Sequence, residues 1–260
     1  MSVIEPQGSP NKKINSLQTL DRALDLLEIM AKAQTPLTVI ELSKLLKVNR
    51  TTIYAMINSL LEGGFIERDD FFPGRYVLGY KMFELGNMYV RRFPFIRNVH
   101  YYALPIIEKW SLCLRIYAYI SGGYIILLAE ENRRIIPLAT NEGILLPAHA
   151  TAAGKVLLGK LPPKDLHLEL EMTELEAYTA NTIFDKEALR EAVEKAKQDG
   201  FAYDSEEYLL GFSCVSVPIA DTAGNIIAAL SLSGSPETFA KHREAILKDA
   251  LIAARSIATF

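Results

Sequence analysis

Cysteine is scarce in this chain of 260 residues: there are two, Cys113 and Cys214, about a hundred positions apart. Such a pair builds no disulfide framework, and the expected setting is a reduced, cytoplasmic one. Long apolar runs are missing as well. No stretch approaches the roughly 20 residues that cross a bilayer, and the first fifteen residues are polar rather than signal-like, so no membrane partner is expected. An excess of charge of one sign is absent: the formal net charge is -3, which excludes a basic nucleic-acid coat. The four histidines, His100, His149, His167 and His242, show no metal-ligand spacing with each other or with a cysteine, so no metal is expected. Two catalytic motifs are approached and missed. Gly154-Lys155 ends like a phosphate-binding loop, but Val156 replaces the Ser/Thr and His149 the first glycine. Gly211-Phe212-Ser213-Cys214-Val215 lacks the final glycine of a nucleophile elbow. With no catalytic set and no cofactor motif, an enzyme is not expected.

What is present centres on Thr38 to Tyr76. Thr38 stands three residues before Glu41, the spacing of a capping box. It opens a helix over about Val39 to Leu46, with Ile40, Leu42, Leu45 and Leu46 as its apolar side. After the turn Lys47-Val48, Asn49 is a good N-cap for a second helix. In that helix Ile53, Met56, Ile57 and Leu60 fall at i, i+3, i+4 and i+7, one buried stripe. Opposite lie Thr51, Ala55 and Asn58, flanked by Thr52, Tyr54 and Ser59, with Arg50 in the first turn. These side chains are short or hydrogen-bonding and none is acidic, which suits a helix lying in a major groove. Gly63-Gly64 ends it, and two short strands, 65–68 and 75–78, form a wing around the turn Asp69 to Gly74. The same pattern also serves winged helices that contact protein instead of DNA. Residues 1–75 carry nine basic and nine acidic side chains, so DNA binding requires the cations to be sorted onto one face.

The remaining periodicities give an α+β chain with a mostly antiparallel sheet. Leu17, Leu20, Leu24, Leu27 and Ala31 predict a helix completing the three-helix core. Helices follow over Leu78–Tyr89 and Ile96–Leu112, with a kink or break expected at Pro105. Strands are expected over 116–120, 124–129, 135–140, 201–203, 213–219 and 226–232. Helices are expected over 150–160, 164–170, 185–198 and 238–259, with a disordered tail over 1–15. Three segments set small polar groups in apolar surroundings: Ala150 to Gly154, Phe212 to Val215, and Leu230 to Gly234. Ser231 and Ser233, at i and i+2 on a strand, share one face. If that face is inward they need partners, either a small polar ligand or neighbouring backbone. The start of the short helix near Thr151 would favour an anion.

Three motifs carry a resemblance to the IclR-type transcriptional regulators (isocitrate lyase regulator family) from about Ser16 onward. Asn49 to Tyr54, with Leu60 to Ile66 and Tyr76 to Gly79, is similar to that family's reading helix and wing. Leu146 to Leu158 is similar to its effector-domain loop and helix. Gly200 to Glu207, with Cys214 to Ile219 and Ala229 to Gly234, is similar to its C-terminal signature. The resemblance implies a winged helix-turn-helix (16–78) joined by a linker helix (79–94) to a GAF-like effector domain (95–260). It implies a homodimer or homotetramer on double-stranded operator DNA, and a small organic acid as effector. Expected DNA contacts are Arg50, Thr51, Thr52, Tyr54, Ala55 and Asn58, with Arg75 on a phosphate near the wing. Family pocket positions fall on Ala152, Ala153, Asp204, Cys214, Ser231 and Ser233. Tyr54-Ala55 replaces the His-Arg of many members, so the operator is expected to differ. Ala152 replaces the Gly of some members and narrows the pocket slightly.

Overall fold

The computed structural model describes residues 17–120, 123–131 and 142–258. The expected tail over 1–15 and the expected strand over 135–140 lie outside the described residues. The chain divides into two compact units, Met1–Arg92 and Phe93–Phe260.

In the first unit α1 (Gln18–Lys32), α2 (Val39–Leu46) and α3 (Arg50–Glu62) pack over a small sheet of β1 (Leu37–Thr38), β2 (Ile66–Arg68) and β3 (Arg75–Leu78), in the order β1-β3-β2. The capping box forms as the spacing requires. The Glu41 amide donates to Thr38 Oγ1 at 3.2 Å, and the Thr38 amide donates to Glu41 Oε2 at 2.7 Å. Those bonds, the backbone one foremost, hold the Glu41 carboxyl below its ordinary range. Asn49 caps α3 by accepting from the Thr52 amide at 2.8 Å. Ile53, Met56 and Ile57 are buried as the period predicts, with Leu26, Met30, Val39, Leu42, Ile66 and Tyr76. Two expectations shift. The core takes Leu26 and Met30 from α1, whereas Leu17, Leu20 and Leu24 are exposed; on α2, Ile40 and Leu45 are exposed. A helical stripe tells which residues share a face, not whether the same chain covers it. The unit ends with α4 (Tyr80–Val90), which buries no residue.

The second unit opens with α5 (Ile96–Trp110), which runs unbroken through Pro105, against expectation. Six strands form one antiparallel sheet: β4 (Cys113–Ile120), β5 (Gly123–Glu130), β6 (Leu145–Leu146), β7 (Ala202–Ser205), β8 (Ser213–Ala220) and β9 (Ile226–Gly234). Their order is β6-β5-β4-β9-β8-β7. The β8–β9 turn closes on Asp221, whose Oδ1 accepts from the Ala223 and Asn225 amides. The long α9 (Pro236–Ala258) covers β8 and β9 on one face and packs on α5. The short α6 (Ala152–Leu158) covers the same strands on the other face, preceded by a 3-10 turn over Ala148–Ala150. Behind α6 stand α7 (Pro163–Met172) and α8 (Lys186–Asp199); α8 is capped by Asp185 and stopped by Gly200, at φ 77°.

Candidate ligand cavity and DNA-reading face

The sheet register builds the cavity. Asp204 pairs with Cys214, and Cys214 with Ser233, so β7, β8 and β9 place these three side chains in one row. Residues directly opposite in an antiparallel ladder share a face, and alternation adds Ser231 two residues along β9. Ala152 and Ala153, at the start of α6, close over the row. Thr151, Tyr117 and Leu146 form the sides; Tyr208, Leu209 and Phe212, from the loop between β7 and β8, complete the wall. The enclosed volume is about 40 Å³, room for roughly three waters or a compact ligand. All six expected pocket residues therefore meet at one cavity.

The hydrogen bonds refine the expectation. Ser231 Oγ donates to the Val215 carbonyl at 3.3 Å. Of the two partners that the sequence left open for Ser231, neighbouring backbone is the one this bond supplies. Ser233 and Asp204 flank the Cys214 thiol from the two neighbouring strands. Asp204 Oδ1 also accepts from the Glu207 amide at 2.7 Å. Burial pushes the Asp204 carboxyl up to about 7, against the pull of that amide. Burial, then the Asp204 carboxylate, pushes the Cys214 thiol up, so the thiol keeps its proton. Thr151 Oγ1 accepts from the Gly154 amide at 3.2 Å. Ala152 and Ala153 occupy the first positions of α6, where amides have no intrahelical partner.

Sequence reasoning missed the support behind this wall. Lys155 Nζ donates to Glu207 Oε1 at 2.5 Å, to Oε2 at 2.7 Å and to the Tyr203 carbonyl at 3.1 Å. Both charged side chains are nearly buried. The Glu207 carbonyl accepts from the Thr182 and Thr179 hydroxyls, at 2.6 and 3.2 Å. Glu207 thus pins the loop whose next residue, Tyr208, lines the cavity. One signal was available: a lysine in a helix otherwise made of Ala, Gly, Val and Leu needs a buried partner.

In the first unit α3 presents Arg50, Thr51, Tyr54, Ala55 and Asn58 to solvent, with Thr52 half-buried. Lys44, Lys47 and Arg50 are all exposed around the α2–α3 turn, the sorting of cations that a neutral module needs. Arg75 has partners within its own unit. Its Nη1 donates to the Pro36 carbonyl at 2.6 Å and to Glu41 Oε2 at 3.1 Å, tying β3 to the start of α2. An arginine so engaged braces the wing through Nη1, while its side chain stays partly exposed.

A winged helix-turn-helix with an exposed reading face, beside a separate α+β unit, defines the class of transcriptional regulators. The particular family follows from the comparisons: the helix-turn-helix domain of IclR matches residues 19–70, and the bacterial transcriptional regulator IclR C-terminal domain matches residues 121–259. The chain belongs to the IclR family. Among its relatives is the HTH-type transcriptional regulator XynR of Escherichia coli, 29% identical over 218 residues, covering 84% of this chain and 86% of that one. Another is the HTH-type transcriptional repressor AllR of Klebsiella pneumoniae, 26% identical over 267 residues and covering 96% and 95%. The crystal structure of Thermotoga maritima IclR superposes with a TM-score of 0.70 at 28% identity, covering 92% and 98%. An IclR homolog from Microbacterium hydrocarbonoxydans, complexed with 4-hydroxybenzoate, gives 0.78 at 22% identity over 93% and 98%, a likeness of fold.

Proposed function

We propose that this protein is a ligand-responsive transcriptional regulator. Residues 16–78 read operator DNA, 79–94 link, and 95–260 sense a small organic acid. The observation that supports the sensing half is the cavity itself: segments as far apart in the chain as Tyr117 and Ser233 converge on one small space, whose largely apolar lining carries a few polar groups. A neighbour of the same fold holds 4-hydroxybenzoate, a hydroxy acid. The test is a mobility shift on the DNA upstream of the protein's own gene, at several salt concentrations, with and without small hydroxy and keto acids. Salt-dependent retardation altered by one of the acids is expected. DNA binding indifferent to every acid would sink the sensing half. No retardation at low salt would sink the reading half and favour a winged helix that contacts protein.

Base reading is assigned to Thr51, Thr52, Tyr54, Ala55 and Asn58, and phosphate contact to Arg50. Arg50→Ala is expected to weaken binding about equally on all sequences and to lower the salt slope by about one. Asn58→Ala is expected to cost about 1–3 kcal/mol on the preferred operator and to relax one position. Equal losses on every operator variant for both substitutions would contradict this division.

The DNA-binding species is proposed to be at least a dimer. On α4, Tyr80, Phe83, Leu85 and Met88 are exposed; so are Leu17, Leu20 and Leu24 on and beside α1. Open apolar faces on short helices are where a second copy packs. Two reading helices a turn of DNA apart supply the specificity one lacks. Sedimentation at micromolar concentration is expected to show no monomer, and Phe83→Glu is expected to dissociate the species and reduce operator binding by tenfold or more, on the order of 1.4 kcal/mol. A strict monomer with full operator affinity would refute it.

A further inference from the structure

The cavity holds an acid and, among the described residues of its lining, no cation. The acid is Asp204, 4% exposed. Two buried cations act on this region, and both have partners. Lys155 directs three N–H groups to the two Glu207 oxygens and the Tyr203 carbonyl. Arg115 of β4 pairs with Glu131 at 2.9 Å. The Glu207 carboxylate adds negative charge behind Asp204. A carboxylate ligand entering this space as an anion would therefore face a second carboxylate with no cationic side chain in the lining to meet it, only the first amides of α6. Two carboxylates side by side in so small a volume, without a cation, disfavour each other's charge, and one proton between them removes the conflict.

We propose that the cavity takes a small monocarboxylate together with one proton, which Asp204 holds and donates to the ligand carboxylate, and that it rejects dicarboxylates. This rests on the reading of the cavity as an acid sensor. The charge balances: an anion and a solvent proton enter together, and the site gains no net charge. A dicarboxylate would bring a second charge with no acidic donor left to meet it. The neighbouring titratable groups keep their protons. Burial pushes up the Cys214 thiol of β8, the Tyr117 phenol of β4, the Tyr124 phenol of β5 and the loop phenol of Tyr208. Asp204, pushed up to about 7, is the group whose proton is half in place at neutral pH. The sign follows. The protonated form binds, so affinity is flat well below pH 7 and falls as pH rises through it. Between about pH 5.5 and about pH 8.5 the loss is roughly thirtyfold.

The test is titration calorimetry on the full chain with glycolate, lactate, pyruvate and 4-hydroxybenzoate, against malonate and malate. It is run across that pH range in two buffers of different ionisation heat. Expected are uptake of about one proton per monocarboxylate at the alkaline end, the thirtyfold loss of affinity, and no measurable dicarboxylate binding. Asp204→Asn keeps an oxygen for the Glu207 amide and offers a permanent N–H donor. Its affinity is expected to be flat with pH and to exceed that of the native protein at the alkaline end, with thermal melting confirming that it folds. Monocarboxylates that bind without proton uptake, with pH-flat affinity, would overturn the proposal and leave the sensor reading standing. Binding that survives Ala153→Leu, which fills the cavity, or no binding by any acid at any pH, would overturn the sensor reading and the proposal with it.

Discussion

Lys155→Met is expected to destabilise the C-terminal unit by about 3–5 kcal/mol, the cost of leaving one member of a buried ion pair without its partner. All three Lys155 N–H donors are used, and both Glu207 oxygens take one. With the ammonium gone, the Glu207 carboxylate keeps its burial and loses its counter-charge. Removing both charges is a different matter. Lys155→Met with Glu207→Leu leaves two apolar side chains of similar size, and such replacements are neutral or stabilising by about 1–4 kcal/mol. The Glu207 main chain still bonds Asp204 and the two threonines. The double variant is therefore expected to recover most of what the single one loses. The chain's one tryptophan, Trp110, lies on α5 with its Nε1 donating to Asp249 at 2.7 Å. Urea unfolding followed by its fluorescence reports the C-terminal unit alone. A single variant as stable as the native chain, or a double variant no better than the single, would contradict this account. The single variant should also bind acids more weakly, because Tyr208 follows Glu207 on the cavity wall.

The reading helix was legible because each signal in it is local. Caps at Thr38 and Asn49, a four-residue stripe and a double glycine need nothing from the rest of the chain. The stripe on α1 was legible as a stripe, but only part of it, Leu27 among it, packs on the core, and its first leucines lie exposed. Leu17, Leu20 and Leu24 repeat as faithfully as core residues, and periodicity does not say whether the covering surface belongs to the same chain. The ties of Arg75 were illegible for a related reason: Glu41 and the Pro36 carbonyl, which its Nη1 meets, lie thirty-four and thirty-nine residues away. In the C-terminal unit the small polar groups pointed to the cavity lining, since serines in apolar strands demand partners. Tyr208 and Leu209 could not be read, because a loop carries no period. Tyr117 could have been placed only with the β4–β9 register in hand: Tyr117 pairs with Ala229, two residues from Ser231.

Gly154, taken with Lys155 as the end of a failed phosphate loop, has a steric reason to be glycine. A Cβ built there would lie 2.0 Å from the Ala148 carbonyl oxygen and 2.6 Å from Ala148 C and Cα. Every one of these atoms is backbone, so no side chain can rotate away. The 3-10 turn or α6 itself must move, and every residue of α6 is buried. Gly154→Ala gains about 1 kcal/mol of helix propensity and meets an overpacking penalty of about 1–3 kcal/mol or more. With contacts this short the upper end applies, and the net effect is a loss of about 2 kcal/mol or more. Gly159→Ala is the matched control. It sits at the other end of α6, at φ -61°, and its Cβ would approach nothing closer than 3.4 Å. It is expected to be near neutral. Trp110-detected urea unfolding of the two variants checks the contrast, and equal stability would refute it. If α6 instead slides to admit the methyl group, Ala152 and Ala153 leave the cavity. The protein then folds, and calorimetry should find acid binding lost while the N-terminal unit still retards DNA.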